Sequence, residues 1–85
     1  MFTKRTSMYY VYILRCRGNK LYTGIAKDVE SRFLQHQRGK GARFTRAHPP
    51  ESIAYCESVA TRSDALKREY AVKQLSHQQK LQLVS

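Results

Sequence analysis

Two β-rich runs joined by a turn constrain this chain most. The run "MYYVYILRC" is dense in Tyr, Val and Ile and reads as a strand. "RGNK" follows, with Gly18-Asn19 as a turn signal. "LYTGIA" reads as a second strand, so residues 8–26 are expected to form a hairpin. A hairpin placed this early in 85 residues leaves no length for a doubly wound parallel sheet. What remains is one compact domain.

The rest of the chain supplies covering elements. Asp28 is a plausible N-cap for a helix through "VESRFLQHQR", with Gly39 and Gly41 ending it. "GKGARFTRAHPPES" reads as a basic loop closed by Pro49-Pro50. "SIAYCESV" is a third strand. Thr61 or Ser63 caps the next helix, and Ser76 restarts a short one with Gln79 as its capping-box partner. The order is β-β-α-β-α-α. The expected class is α+β, a small three-stranded, mainly antiparallel sheet flanked by helices. Residues 1–7 read as a flexible leader and 8–85 as the domain.

Sixteen Lys and Arg against six Asp and Glu leave a net charge of +10. That excess predicts attraction to a polyanion. Nucleic acid is the first candidate, an anionic membrane the second, and a merely solvated basic surface the plain alternative. No apolar run approaches the ~18 residues of a membrane span, and "MFTKRTS" has no apolar segment behind it to make a secretory signal. Cys16 and Cys56 lie in apolar stretches without partners at metal-ligand spacing, so both are expected as buried, reduced thiols in a cytoplasmic protein.

Helical periodicity places one carboxylate oddly. At ~100° per residue, Ala65, Leu66, Val72 and Leu75 form an apolar arc, and Glu69 falls inside it, roughly 40° from Ala65. An inward carboxylate requires a partner, either a cation of the protein or a metal. On the first helix Val29 and Phe33 define the inward side. His36 lies roughly 20° from Val29 and Arg32 about 60° from it on the same flank. Tyr12 and Tyr22 lie ten residues apart across the turn. A strict two-residue turn sends them to opposite faces of the sheet, whereas a three-residue connection or a bulge puts them on one face. The remaining tyrosines, Tyr9, Tyr10, Tyr55 and Tyr70, read as structural.

The basic segment supplies Arg38, Lys40, Arg43 and Arg46 around Phe44, and Arg15 and Lys27 add charge near the hairpin. Cations with an interleaved aromatic suit backbone contact and stacking on unpaired bases. A solvated loop with Phe44 tucked into the core is the alternative.

Taken together, "YVYIL", "LYTG", "SRFLQH" and a helical glutamate resemble the GIY-YIG nuclease superfamily, and in particular its small, single-domain bacterial members. Tyr10-Val11-Tyr12 stands for the first motif and Tyr22-Thr23-Gly24 for the second. The resemblance covers residues 8–84. It implies a metal-dependent endonuclease acting on DNA, with Tyr12 as the first choice of general base and Tyr22 the second. Arg32 would contact the scissile phosphate, His36 would relay a proton or orient a tyrosine, and Glu69 would hold Mg²⁺ or Mn²⁺. The products would carry a 5′-phosphate and a 3′-hydroxyl. With no recognition module in this length, branched, flapped or single-stranded DNA is the expected target, in repair or recombination.

Two features depart from the family pattern. The leading glycine of the first motif is Tyr10 and its middle position Val11. Many members carry an asparagine after the glutamate helix, whereas the only Asn here is Asn19, leaving that role to a residue such as Ser76. A nucleic-acid-binding protein of the same fold with weak or no cutting is therefore the rival reading, and a module docking onto a partner protein is a third.

Overall fold

A computed structural model describes residues 8–84. The leader expected over 1–7 lies outside the described residues. Strands β1 (Tyr9–Cys16), β2 (Lys20–Ala26) and β3 (Pro50–Val59) form one antiparallel sheet in the order β2-β1-β3. Helices α1 (Val29–Gln37), α2 (Arg43–Ala47), α3 (Arg62–Lys73) and α4 (His77–Val84) complete the fold. No helix among the described residues is long and apolar enough to cross a membrane.

β1 is central, and alternation along it divides the core. Val11 and Ile13 pack with Ala65 and Val72, so α3 and α4 cover that face. Tyr12, Leu14 and Cys16 pack with Val29 and Phe33, so α1 covers the other. The pairing of β1 with β3 shifts register between Ile13 and Leu14. This irregularity lets Ile53 join the Leu14 cluster while Tyr55, two residues on, joins the Ile13 cluster.

The capping chemistry acts locally as expected. The Asp28 carboxylate accepts from Ser31 N at 3.1 Å, and the Thr61 hydroxyl accepts from Asp64 N at 3.0 Å. Ser76 and Gln79 form a reciprocal capping box, with contacts of 2.9 and 3.1 Å. Ser76 therefore spends its hydroxyl on helix α4.

Several expectations need correction. The segment read as a basic loop contains the one-turn helix α2, and β3 begins already at Pro50. Proline is tolerated there because it opens a strand at the sheet edge. Cys16 is buried, but Cys56 is exposed. Cys56 pairs with Tyr12 on the edge strand and borders an open groove of about 400 Å³ with Tyr10 and Lys27. Leu66 is 40% exposed, because the buried stripe of α3 centres on Ala65 and Val72. Leu66 is about 100–120° from both at helical spacing.

Candidate active site

The hairpin connection decides where the two tyrosines go. Cys16 pairs with Lys20, so Arg17, Gly18 and Asn19 form a three-residue connection. Gly18 and Asn19 take φ values of 78° and 63°, a left-handed conformation these two residue types tolerate best. In this register Tyr12 lies opposite Gly24 and Leu14 opposite Tyr22. Tyr12 and Tyr22 therefore share the α1 face as diagonal neighbours, their ring centroids 6.5 Å apart.

Gly24 matters because Tyr12 lies over it. A Cβ at this position would sit 2.5 Å from the phenol oxygen. The bare glycine lets the Tyr12 side chain run across β2 toward the edge of the sheet. There it meets His36, which α1 turns fully inward. Tyr12 Oη lies 3.0 Å from His36 Nε2. On its other side His36 Nδ1 lies 2.7 Å from the buried Thr45 hydroxyl of α2. Gly41 clears the way for this approach, since a Cβ there would overlap the His36 ring.

Arg32, one turn before His36, is exposed and is steadied by Gln35 at 2.8 Å. Glu69 comes from α3, in the opposite layer. Its side chain is 18% exposed, and its carboxylate pairs with Lys73 Nζ at 3.2 Å. The inward carboxylate is thus met by a lysine that is itself half exposed. Glu69 and Arg32 both act on Tyr12 electrostatically. Burial, reinforced by Tyr22, pushes the Tyr12 phenol up to about 12; the Arg32 guanidinium works against this and Glu69 adds to it. His36 is held below its ordinary value, first by burial and then by the Arg32 charge. At neutral pH the pair is a phenol facing a neutral imidazole.

The basic surface is assembled around the same tyrosines. Phe44 of α2 stacks on Tyr22 with centroids 5.9 Å apart and planes 25° from parallel, and His48 sits 4.9 Å beyond. Phe44 is neither a free loop aromatic nor a core residue: it extends the tyrosine cluster into solvent, 37% exposed. Arg38, Lys40, Arg43 and Arg46, its neighbours in sequence, are exposed. Lys27 lies apart from this cluster, its Nζ 5.3 Å over the Tyr9 ring. Strand alternation puts Arg15 on the face of Val11 and Ile13, away from Tyr12, so it does not join this surface.

Sequence reasoning missed Thr45. Its only sequence signal is position, within a basic segment that follows His36.

The profile of the GIY-YIG catalytic domain matches residues 8–82. This chain belongs to the GIY-YIG family. It is similar to the UPF0213 protein of Staphylococcus saprophyticus, 47% identical over 77 residues, covering 91% of this chain and 94% of that one. UPF0213 proteins of Staphylococcus aureus are 46% identical over 76 residues, covering 89% of this chain and 93% of theirs. The solution NMR structure of a UPF0213 protein from Bacillus halodurans superposes with a TM-score of 0.57 at 40% identity, covering 91% of this chain and 82% of that chain. In this GIY-YIG domain the two name-giving motifs are adjacent strands, and membership of the family implies a nuclease-type function with DNA as the substrate class.

Proposed function

We propose that this GIY-YIG domain is a metal-dependent endonuclease that hydrolyses DNA phosphodiester bonds with low sequence specificity, acting on branched or single-stranded DNA in repair or recombination. The observation that carries this reading is the 3.0 Å contact between Tyr12 Oη and His36 Nε2, with Arg32 and Glu69 in electrostatic reach of the same phenol.

A phenol is a poor base alone, and burial makes this one poorer. The contact with His36 resolves the difficulty. Tyr12 takes a proton from the attacking water as its own proton passes to His36 Nε2, so no free phenolate has to form. The water oxygen bonds to phosphorus as the bond to the 3′-oxygen breaks, and the departing oxygen takes a proton from solvent, leaving a 5′-phosphate and a 3′-hydroxyl. Arg32 donates charge-assisted hydrogen bonds to the scissile phosphate as negative charge builds on it. Tyr22, stacked on Phe44 and tilted against the His36 ring, orients the phenol and lines the approach.

Glu69 is the residue that would hold a divalent ion. Among the described residues no group of three His, Cys, Asp or Glu side chains could hold a metal, so a caged zinc-type site is not built here. A single partly exposed carboxylate suits Mg²⁺ or Mn²⁺, which keep several waters and take one or two carboxylates plus phosphate oxygens. When bound, the ion supplies charge neutralisation at the phosphate and the departing oxygen. Lys73 must then release Glu69, which its exposure permits.

The test is cleavage of plasmid and branched DNA with Mg²⁺, Mn²⁺ or chelator. Nicking that needs metal and is lost in Glu69→Ala supports the enzyme. Lys73→Ala should lower the metal concentration needed for half-maximal rate, because the competing cation is gone. Asn19 in the hairpin turn and Ser76 at a helix cap favour the rival reading, a binder that cuts poorly. Salt-sensitive binding without cleavage would establish that rival.

A further inference from the structure

Thr45 lies in neither name-giving motif, yet it is only 1% exposed and touches the catalytic pair. Its hydroxyl oxygen is 2.7 Å from His36 Nδ1 and 2.9 Å from the Ala42 carbonyl oxygen. A carbonyl can only accept, so the single hydroxyl proton of Thr45 goes to Ala42. Toward the imidazole the threonine oxygen is then an acceptor, and Nδ1 must carry the ring proton. Nε2 is left with its lone pair, 3.0 Å from Tyr12 Oη. This assignment follows from the hydrogen-bond network.

One contact pulls the other way. Ala42 N–H lies 3.4 Å from Nδ1 and would favour a bare nitrogen there. It is the longer of the two contacts to Nδ1, and the Thr45 contact at 2.7 Å prevails.

We propose that Thr45 is a positioning residue that fixes the His36 tautomer, so that Nε2 can receive the proton of Tyr12. The proposal rests on the nuclease reading of this site. Without the threonine hydroxyl, Ala42 N–H becomes the sole partner of Nδ1. The ring proton then moves to Nε2, and His36 donates to Tyr12 where it should accept. No atom of the catalytic pair is lost, but the phenol proton has nowhere to go. Helix α2 thereby braces the site through consecutive residues: Phe44 against Tyr22 and Thr45 against His36.

Long-range ¹H–¹⁵N correlation spectra of the labelled chain read the tautomer directly, with His36 assigned by its absence in His36→Gln. The wild type should show Nδ1 protonated. In Thr45→Val, close in shape, the proton should shift to Nε2; in Thr45→Ser it should stay on Nδ1. The cleavage rate should fall about 100-fold in Thr45→Val with DNA affinity unchanged, and Thr45→Ser should restore it. A wild-type proton on Nε2 overturns the proposal without recourse to any variant. So does a folded Thr45→Val that keeps the Nδ1 proton or the full rate. If the tautomers behave as stated but the wild type cuts no DNA, the positioning by Thr45 stands and the nuclease reading falls.

Discussion

Gly24 lies directly beneath Tyr12, so close that any Cβ at position 24 would sit 2.5 Å from the phenol oxygen and 2.7 Å from Cζ. The second motif of the family therefore contributes an absence as well as a side chain. Its glycine is the floor on which the tyrosine of the first motif rests. Gly24→Ala should destabilise the chain by about 1–3 kcal/mol, the usual cost of overpacking. It should also lower the cleavage rate, because the phenol is pushed off His36 Nε2. Urea unfolding and cleavage assays check both effects. An alanine variant of unchanged stability and rate would show that the phenol does not depend on this floor.

The pH dependence follows from His36. Its folded value is lowered, chiefly by burial and then by Arg32, so the fold favours the neutral ring. The groups facing it are Tyr12, Tyr22 and Thr45, with Arg32 on its own helix. The resulting stabilisation is fully present above the unfolded value and is lost as pH falls through the folded one. Cleavage should weaken over the same acidic window, with a midpoint below the ordinary 6.5 of histidine. Arg32→Gln should move that midpoint upward, read by NMR titration of the ring so that the loss of phosphate contacts does not interfere. Tyr12, held at about 12, should impose no alkaline limb below pH 10. A midpoint above 6.5 would contradict this account.

DNA binding should separate into stacking and charge. Phe44 offers an exposed ring already backed by Tyr22. Phe44→Ala should weaken single-stranded binding by about 1–3 kcal/mol. Arg43→Gln and Arg46→Gln should each reduce the slope of log affinity against log salt by about 0.7 on single strands, if each meets one phosphate. Fluorescence anisotropy across a salt series measures both. An unaltered slope in the double variant would move the DNA path away from α2.

Local chemistry made much of this legible from sequence. The hairpin, the Asp28 cap and the Ser76–Gln79 box rest on residues a few positions apart, and the structure forms all three. The inward lean of Glu69 was readable from helical spacing. What was hidden depends on distance. Whether Tyr12 and Tyr22 share a face turns on a single residue in the connection, and the sequence allowed either. Helix α2 was masked by the glycines and prolines flanking it, which read as loop. Thr45 is an ordinary residue until folding brings it to His36. Cys56 was misjudged because its apolar stretch suggested burial, whereas β3 is an edge strand and leaves it exposed. Leu66 was misjudged because its place in the arc depended on which side of Glu69 the core lies.

The most direct test of the central claim is a double-mutant cycle on single-turnover cleavage with Tyr12→Phe, His36→Gln and the pair. If the phenol and imidazole form one proton path, each single variant should lose about 10²–10⁴-fold, and the double variant should lose no more than the worse single one. A Tyr12→Phe variant that cuts at the wild-type rate, or losses that multiply in the pair, would contradict it.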